Sequence, residues 1–424
     1  MRVLTKRRRG RLAIPAALAA ISLIAAGCGG DDDSGGGGSG GGGSDAADVL
    51  GEENAASGDP IKIGWTSTGQ TQAIDTSDEI AAAEAVVAYA NERLGGLAGR
   101  PIELVICTDD NTPAGAQACG NEFIGEDVVG VAAGTSGQID GVLTVVAPAG
   151  IPAGVNLVSS QVALSTPNVF VWSNPVSAYG VPAAYAREES LASAAVVVID
   201  VPGASGPAKA LAPAFWGNAD SEATVVPIAP GTPDMTPQIQ SAENDSPEMY
   251  YILGDPTFCS SAIKAIKTLG IDTPIVALDR CIGEDKGASI PGGFEGVQIV
   301  TQSVQEPDDE EYLLYQAVLE TYGDDLALSS QAISGYQGML SFVRAVNASE
   351  PAELDAASVL AAIKEMPPTP YPLGGGADFQ CNGQALSLSP NICSTAGFIA
   401  DSSSTGELSN FRVLDTEGIY ELGG

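Results

Sequence analysis

Ile61-Lys62-Ile63-Gly64-Trp65-Thr66 opens the rhythm that decides the fold. This stretch suits a buried strand. After a polar loop it gives way to residues 76–94, where Ile80, Ala83, Val87, Ala90 and Leu94 keep helical spacing. Thr76 and Glu79 stand at capping-box spacing at the start of that helix. Residues 102–107 read as the next strand, and Thr112-Pro113 suit the N-cap and first position of the helix after it. Strands are predicted again over 128–133 and 152–157, then over 194–199, 223–228, 249–253, 274–278 and 297–300. Continuous apolar strands between amphipathic helices predict parallel sheets covered on both faces. Helices are expected over 308–322, 330–348 and 355–365. The tail beyond Pro367 is rich in Gly, Pro and Ser, with short strands expected at 398–399, 411–414 and 419–420. About 365 residues is too long for one compact core. The expected architecture is α/β, with two doubly wound parallel-sheet lobes.

Upstream of this domain the sequence carries an address. Arg2, Lys6, Arg7, Arg8, Arg9 and Arg11 precede an apolar run over 12–26. That run is shorter than the roughly 20 residues a membrane-spanning helix needs. A basic start, a short apolar centre and small residues before a cut are the parts of a secretory signal. Leu23-Ile24-Ala25-Ala26-Gly27-Cys28 resembles the lipobox of bacterial lipoproteins. The resemblance implies cleavage after residue 27 and lipid on Cys28, so that the chain is anchored to the outer face of the cell membrane. Residues 28–58 contain two glycine runs, each closed by a serine, within an acidic, aperiodic stretch. Such a linker is a flexible coil with a reach of about 30 Å.

Charge excludes several partners. The chain carries 18 Lys and Arg against 53 Asp and Glu; loss of the signal leaves 12 cations and a net charge of −41. Such a surface repels nucleic acid and anionic headgroups, so neither is expected as a partner. The absence of histidine removes His-dependent triads, His general bases and most zinc sites.

Of the seven cysteines, Cys28 is assigned to lipid, which leaves an even set for an oxidising compartment. Six cysteines allow many pairings. Local spacing favours Cys107–Cys119, Cys259–Cys281 and Cys381–Cys393, each closing a short loop.

The order of segments over about 60–422 resembles the type I periplasmic-binding proteins, in particular the branched-chain amino-acid-binding receptors of ABC transporters. The resemblance rests on Ile61-Lys62-Ile63-Gly64, on Asn91-Glu92-Arg93-Leu94-Gly95-Gly96 closing the first helix, and on Asp109-Asp110 after the second strand. It continues with Gly134-Thr135-Ser136-Gly137, Ile151-Pro152, Asn168-Val169-Phe170 and Asn174-Pro175. It implies lobe 1 over 60–178 and 303–396, lobe 2 over 179–302 and 397–424, a three-segment hinge, and a ligand held in the cleft.

Candidate site residues follow from strand ends and from this resemblance. Thr135, Ser136 and Gly137 lie between a strand and a helix start, where N–H groups and hydroxyls suit a carboxylate; simple N-capping is the plainer alternative. Asn156 and Ser159 fall in the second contact region of the family. Asp279 stands where amino-acid-binding relatives place an acid for the ammonium, and Asp255 ends the other lobe-2 strand. Relatives that bind leucine-like ligands carry tyrosine near Asp255 and in the loop 200–206, and both are missing here. Trp65, Trp172 and Tyr179 offer stacking surface, or ordinary core.

The expected function is a solute-binding lipoprotein of an ABC importer. It would take an amino acid or a related small polar solute such as an amide or urea, work as a monomer with permease subunits, and need no cofactor or metal. A ligand sensor or surface protein on the same fold is the alternative, with a hydrolase behind it. No P-loop, Gly-x-Ser-x-Gly elbow or metal-ligand cluster supports an enzyme. Ser261-Ala262-Ile263-Lys264 matches Ser-x-x-Lys but lacks that motif's companion elements.

Overall fold

A computed structural model of the protein describes residues 46–422, apart from 73, 157, 159, 284 and 285, and only the backbone of 46 and 47. The signal, Cys28, most of the linker and Ser159 lie outside the described residues.

A short helix α1 (Ala46–Val49) precedes β1 (Ile61–Ser67), α2 (Ser77–Arg93), β2 (Ile102–Thr108), α3 (Pro113–Gly125) and β3 (Val131–Ala133). Next come α4 (Ile139–Val146), β4 (Ala153–Val155), α5 (Gln161–Ser165) and β5 (Val169–Val171). These strands form a parallel sheet in the order β2-β1-β3-β4-β5. The period of two along each strand divides its side chains between two cores. Val131, Ala133, Val169 and Val171 pack toward α3 and α4, whereas Ala132, Phe170 and Trp172 pack on the opposite face.

The chain then crosses to a second lobe. It contains α6 (Ser177–Glu188), β6 (Ser193–Ile199), α7 (Pro202–Gly217), β7 (Glu222–Ile228) and α8 (Thr236–Ala242). It continues with β8 (Met249–Leu253), α9 (Pro256–Thr268), β9 (Ile275–Leu278) and β10 (Val297–Thr301). Helices α10 (Glu310–Tyr322), α11 (Ser330–Asn347) and α12 (Ala356–Glu365) return to the first lobe, where their apolar faces join the core that holds Trp65 and Trp172. A small ribbon pairs β11 (Thr369–Pro370) with β12 (Asp378–Phe379). Finally β13 (Phe398–Ser402) and β14 (Leu408–Val413) extend the second sheet, in the order β14-β13-β10-β9-β8-β6-β7. These last two strands run antiparallel to their neighbours and the rest are parallel. The expected two-lobed α/β fold is borne out.

Two local expectations need correction. Thr76 and Glu79 make no capping box: the Thr76 hydroxyl instead accepts from the Gly69 N–H at 2.8 Å, and Glu79 reaches across to Thr135. Residues 419–420 form a turn rather than a strand, because Tyr420 is buried by packing its ring on Phe215 at 5.3 Å and against Gly180. Of the two readings of Trp65 and Trp172, ordinary core is the one observed, since both are fully buried. Thr112, by contrast, caps α3 through the Gly115 N–H at 3.0 Å, with Pro113 at the first position.

Disulfides join Cys107 to Cys119, Cys259 to Cys281, and Cys381 to Cys393. The first ties β2 to α3. The second ties α9 to the turn after β9, which holds the backbone at Asp279 close to its helix. Among the described residues no helix is long and apolar enough to cross a membrane.

Candidate functional site

Parallel strands of an open sheet leave a crevice beyond their carboxyl ends, and ligands of such folds bind there. In this molecule the carboxyl ends of β3, β4, β9 and β10 converge on a cavity of about 360 Å³ between the lobes, within the usual range for small-molecule sites. A larger concavity of about 580 Å³ lies elsewhere, among residues 377–396 and 413–421. No end of a parallel strand opens into it, so the interlobe cavity is the better candidate.

Lobe 1 supplies Gly134, Thr135, Asn156, Ser173 and Tyr371 to the cavity; lobe 2 supplies Asp279, Thr301 and Leu408. The first turns of α11 close one side with Ser330, Ile333, Ser334 and Gln337, which share one helical face.

Thr135 is fixed from behind. Its backbone N–H donates to Glu79 Oε2 at 2.8 Å. Glu79 is fully buried, its Oε1 has no hydrogen-bond partner, and burial raises its carboxyl above the ordinary range despite contacts with Thr135 and Ser334. Gly134 makes room for this arrangement: a Cβ there would stand 2.4 Å from Glu79 Oε2.

Ser136 and Gly137 do not reach the cavity wall. The Ser136 hydroxyl donates to buried Asp109 and accepts from the Gln138 N–H at 2.9 Å, which uses it up in shaping the loop. Of the three loop residues Thr135 alone lines the cavity.

Asn156 belongs to a buried amide network at the cavity floor. Its Oδ1 accepts from the Tyr371 hydroxyl at 3.0 Å, and its Nδ2 donates to Gln337 Oε1 at 3.2 Å. Gln337 Nε2 donates in turn to the carbonyls of Gln302 (3.2 Å) and Pro372 (3.0 Å). Asn156 therefore builds the floor, with both ends of its amide already engaged.

Asp279 stands at the carboxyl end of β9 with its side chain open to the cavity. Its Oδ1 accepts from the Arg280 N–H at 2.6 Å. The surrounding walls withdraw bulk water, and that desolvation raises its carboxyl above the ordinary value more than the Arg280 N–H and guanidinium lower it. Asp255 is corrected to a helix cap: its Oδ1 accepts from the N–H groups of Thr257 (2.9 Å) and Phe258 (3.0 Å) at the start of α9, away from the cavity lining. Tyr179 is half-buried and also absent from the lining. Sequence reasoning missed the α11 face, Ser173, Tyr371 and the crossing segment 301–305. Only Gln337, a buried amide in a helix whose other buried residues are mainly apolar, left a readable signal.

Residues 60–388 match the profile of the family described as periplasmic binding protein. The chain belongs to the periplasmic binding protein family. Solved structures of the same fold include an ABC transporter substrate-binding protein from Sphaerobacter thermophilus, at TM-score 0.65 and 18% identity over 84% of this chain and 97% of the other. A fatty acid ABC transporter substrate-binding protein from Thermomonospora curvata aligns at 0.61 and 16%, over 87% and 96%. The branched-chain amino acid transporter substrate-binding protein of Streptococcus pneumoniae, in complex with isoleucine, aligns at 0.58 and 14%, over 84% and 99%. Among curated proteins none matches this sequence. For a periplasmic binding protein, the cavity between the lobes is the part of the fold where a solute belongs.

Proposed function

We propose that this chain is the extracytoplasmic solute receptor of an ABC importer, capturing an amino acid or a related small polar solute such as an amide or urea between its lobes. The observation that carries this reading is the cavity at the converging strand ends, lined by Thr135 from one lobe and by Asp279 from the other. Family membership and the transporter receptors among the fold neighbours support it. Hinge motion across the three crossings would close the lobes on the solute. The signal and Cys28 support delivery to the outer face of the membrane and retention there by lipid, with the glycine-serine linker as a tether for a monomeric receptor beside its permease.

A thermal-shift panel of amino acids, amides, ureas, amines and aromatic acids tests this reading, since a ligand that binds only the folded state raises the melting temperature. A selective, saturable increase with one chemical class supports it. A flat response to every solute, together with turnover of a chromogenic substrate, would replace it with the hydrolase reading.

A further inference from the structure

Among the described residues the charge on the lining of the cleft is one-sided: Asp279 is the only carboxylate there, and no Lys or Arg joins it. Two further carboxylates stand immediately behind the lobe-1 wall, both fully buried: Glu79 under the Thr135 N–H, and Asp109 under the Ser136 hydroxyl. The nearest cation, Arg280, is exposed, makes no ion pair among the described residues and lies off the lining, where its charge acts on Tyr179 and Tyr251 and, in part, on Asp279. The rest of the wall is mainly hydroxyls and carboxamides, such as Thr301, Ser334, Gln305 and Gln331, with Ile333 and Leu408 its chief apolar side chains.

From this pattern we infer that the cleft takes an organic cation, an amine or guanidine whose charged nitrogen sits on Asp279, and that the Thr135–Ser136 loop offers no subsite for a free carboxylate. The inference rests on the receptor reading above and narrows it. The donors that would solvate a carboxylate at Thr135 and Ser136 already serve Glu79 and Asp109. An anion there would face those two carboxylates in surroundings that screen charge less than water does. A cation gains from the same field, and its remaining donors find the carboxamide oxygens.

Isothermal titration of the full chain with agmatine, cadaverine, isoleucine, 4-hydroxybenzoate and decanoate tests the inference. A saturable heat is expected with agmatine or cadaverine and none with the three acids. Asp279→Asn should weaken the amine by about 100-fold, while Asp279→Glu, which keeps the charge, should stay within about 10-fold of the parent chain. An unchanged affinity in Asp279→Asn overturns the inference. Binding of an acid with both amines silent also overturns it, and leaves the receptor reading standing. Silence of all these probes overturns the cation assignment; silence across the wider thermal-shift panel as well overturns the receptor reading with it.

Discussion

The Glu79 carboxylate, buried under α11, accepts the backbone N–H of Thr135 at 2.8 Å and so ties the first long helix of the chain to the wall of the cleft. The contact costs stability as well as giving order. Oε1 has no partner and burial raises the carboxyl above its ordinary value of 4.5. An acid whose folded value is raised binds its proton more tightly when folded. Its contribution to stability is therefore greatest below the unfolded value and is lost as pH rises through the window up to the folded one. Glu79→Gln keeps an acceptor for Thr135 without the charge. The variant should be more stable than the parent at neutral pH, by on the order of 1 kcal/mol, and the gain should vanish in acid. Thermal melts of both proteins across pH 4 to 8 check it, and a Glu79→Gln chain less stable at pH 7 would refute the account.

The raised carboxyl of Asp279 makes a separate prediction about binding. Only the ionised form attracts a cation, and desolvation moves its titration above the ordinary 3.8. Affinity for an amine should fall as pH drops through that raised value, earlier than for an exposed carboxylate. Tyr179 and Tyr251 near it are raised away from the acid range, whereas Glu79, behind the opposite wall, also carries a raised carboxyl. A pH series of dissociation constants should therefore show a proton uptake on amine release that is reduced by one step in Asp279→Asn.

The fold was legible because its strands are continuous apolar runs whose neighbours are helices, as in Ile61–Ser67 and Met249–Leu253. Sites at strand ends were legible for the same reason, which is why Thr135, Asn156 and Asp279 come together on one cavity. The errors share a cause. Asp255 as an N-cap and an acid awaiting a ligand look identical in sequence, since both sit between a strand and a helix. Thr76 and Glu79 keep capping-box spacing yet spend their side chains on Gly69 and Thr135, partners that only the tertiary fold supplies. Tyr371 lies in a tail with no periodicity, so its place under the cleft left no local trace.

Close packing of the first sheet makes Gly154 irreplaceable. A Cβ there would stand 1.8 Å from Trp172 Cζ2, and Trp172 is wedged edge-on against Phe342 and Phe379. The ring has nowhere to turn, so Gly154→Ala should cost at least the roughly 1–3 kcal/mol typical of overpacking. Urea denaturation measures this. A midpoint within error of the parent would show that the ring moves freely.

The Cys107–Cys119 bridge closes a loop of 12 residues between β2 and α3. Restricting the unfolded chain over such a loop is worth about 3 kcal/mol. Replacing both cysteines by serine should lower stability by about that amount while leaving cleft ligands bound, because neither residue lines the cavity. Paired unfolding and titration experiments check the two halves of this statement.

Gln337 carries the most consequential contacts at the cavity floor. Sitting on a lobe-1 helix, it donates to the carbonyl of Gln302, on the segment that leaves the lobe-2 strand β10, and to that of Pro372, while accepting from Asn156. It therefore holds the chain at Gln302, one of the crossings on which the proposed hinge motion would turn. Leucine fills a similar volume but strands the Asn156 amide and the Gln302 and Pro372 carbonyls, with water able to reach them only through the cleft. Gln337→Leu should cost about 2–3 kcal/mol of stability. It should also loosen the angle between the lobes, which a merely structural defect far from the crossing would not do. Small-angle scattering of the free protein should then show a broader distribution of interlobe distances, and ligand affinity should fall through faster dissociation. If stability falls while both the scattering and the dissociation rate match the parent, Gln337 holds the floor together but has no part in the hinge.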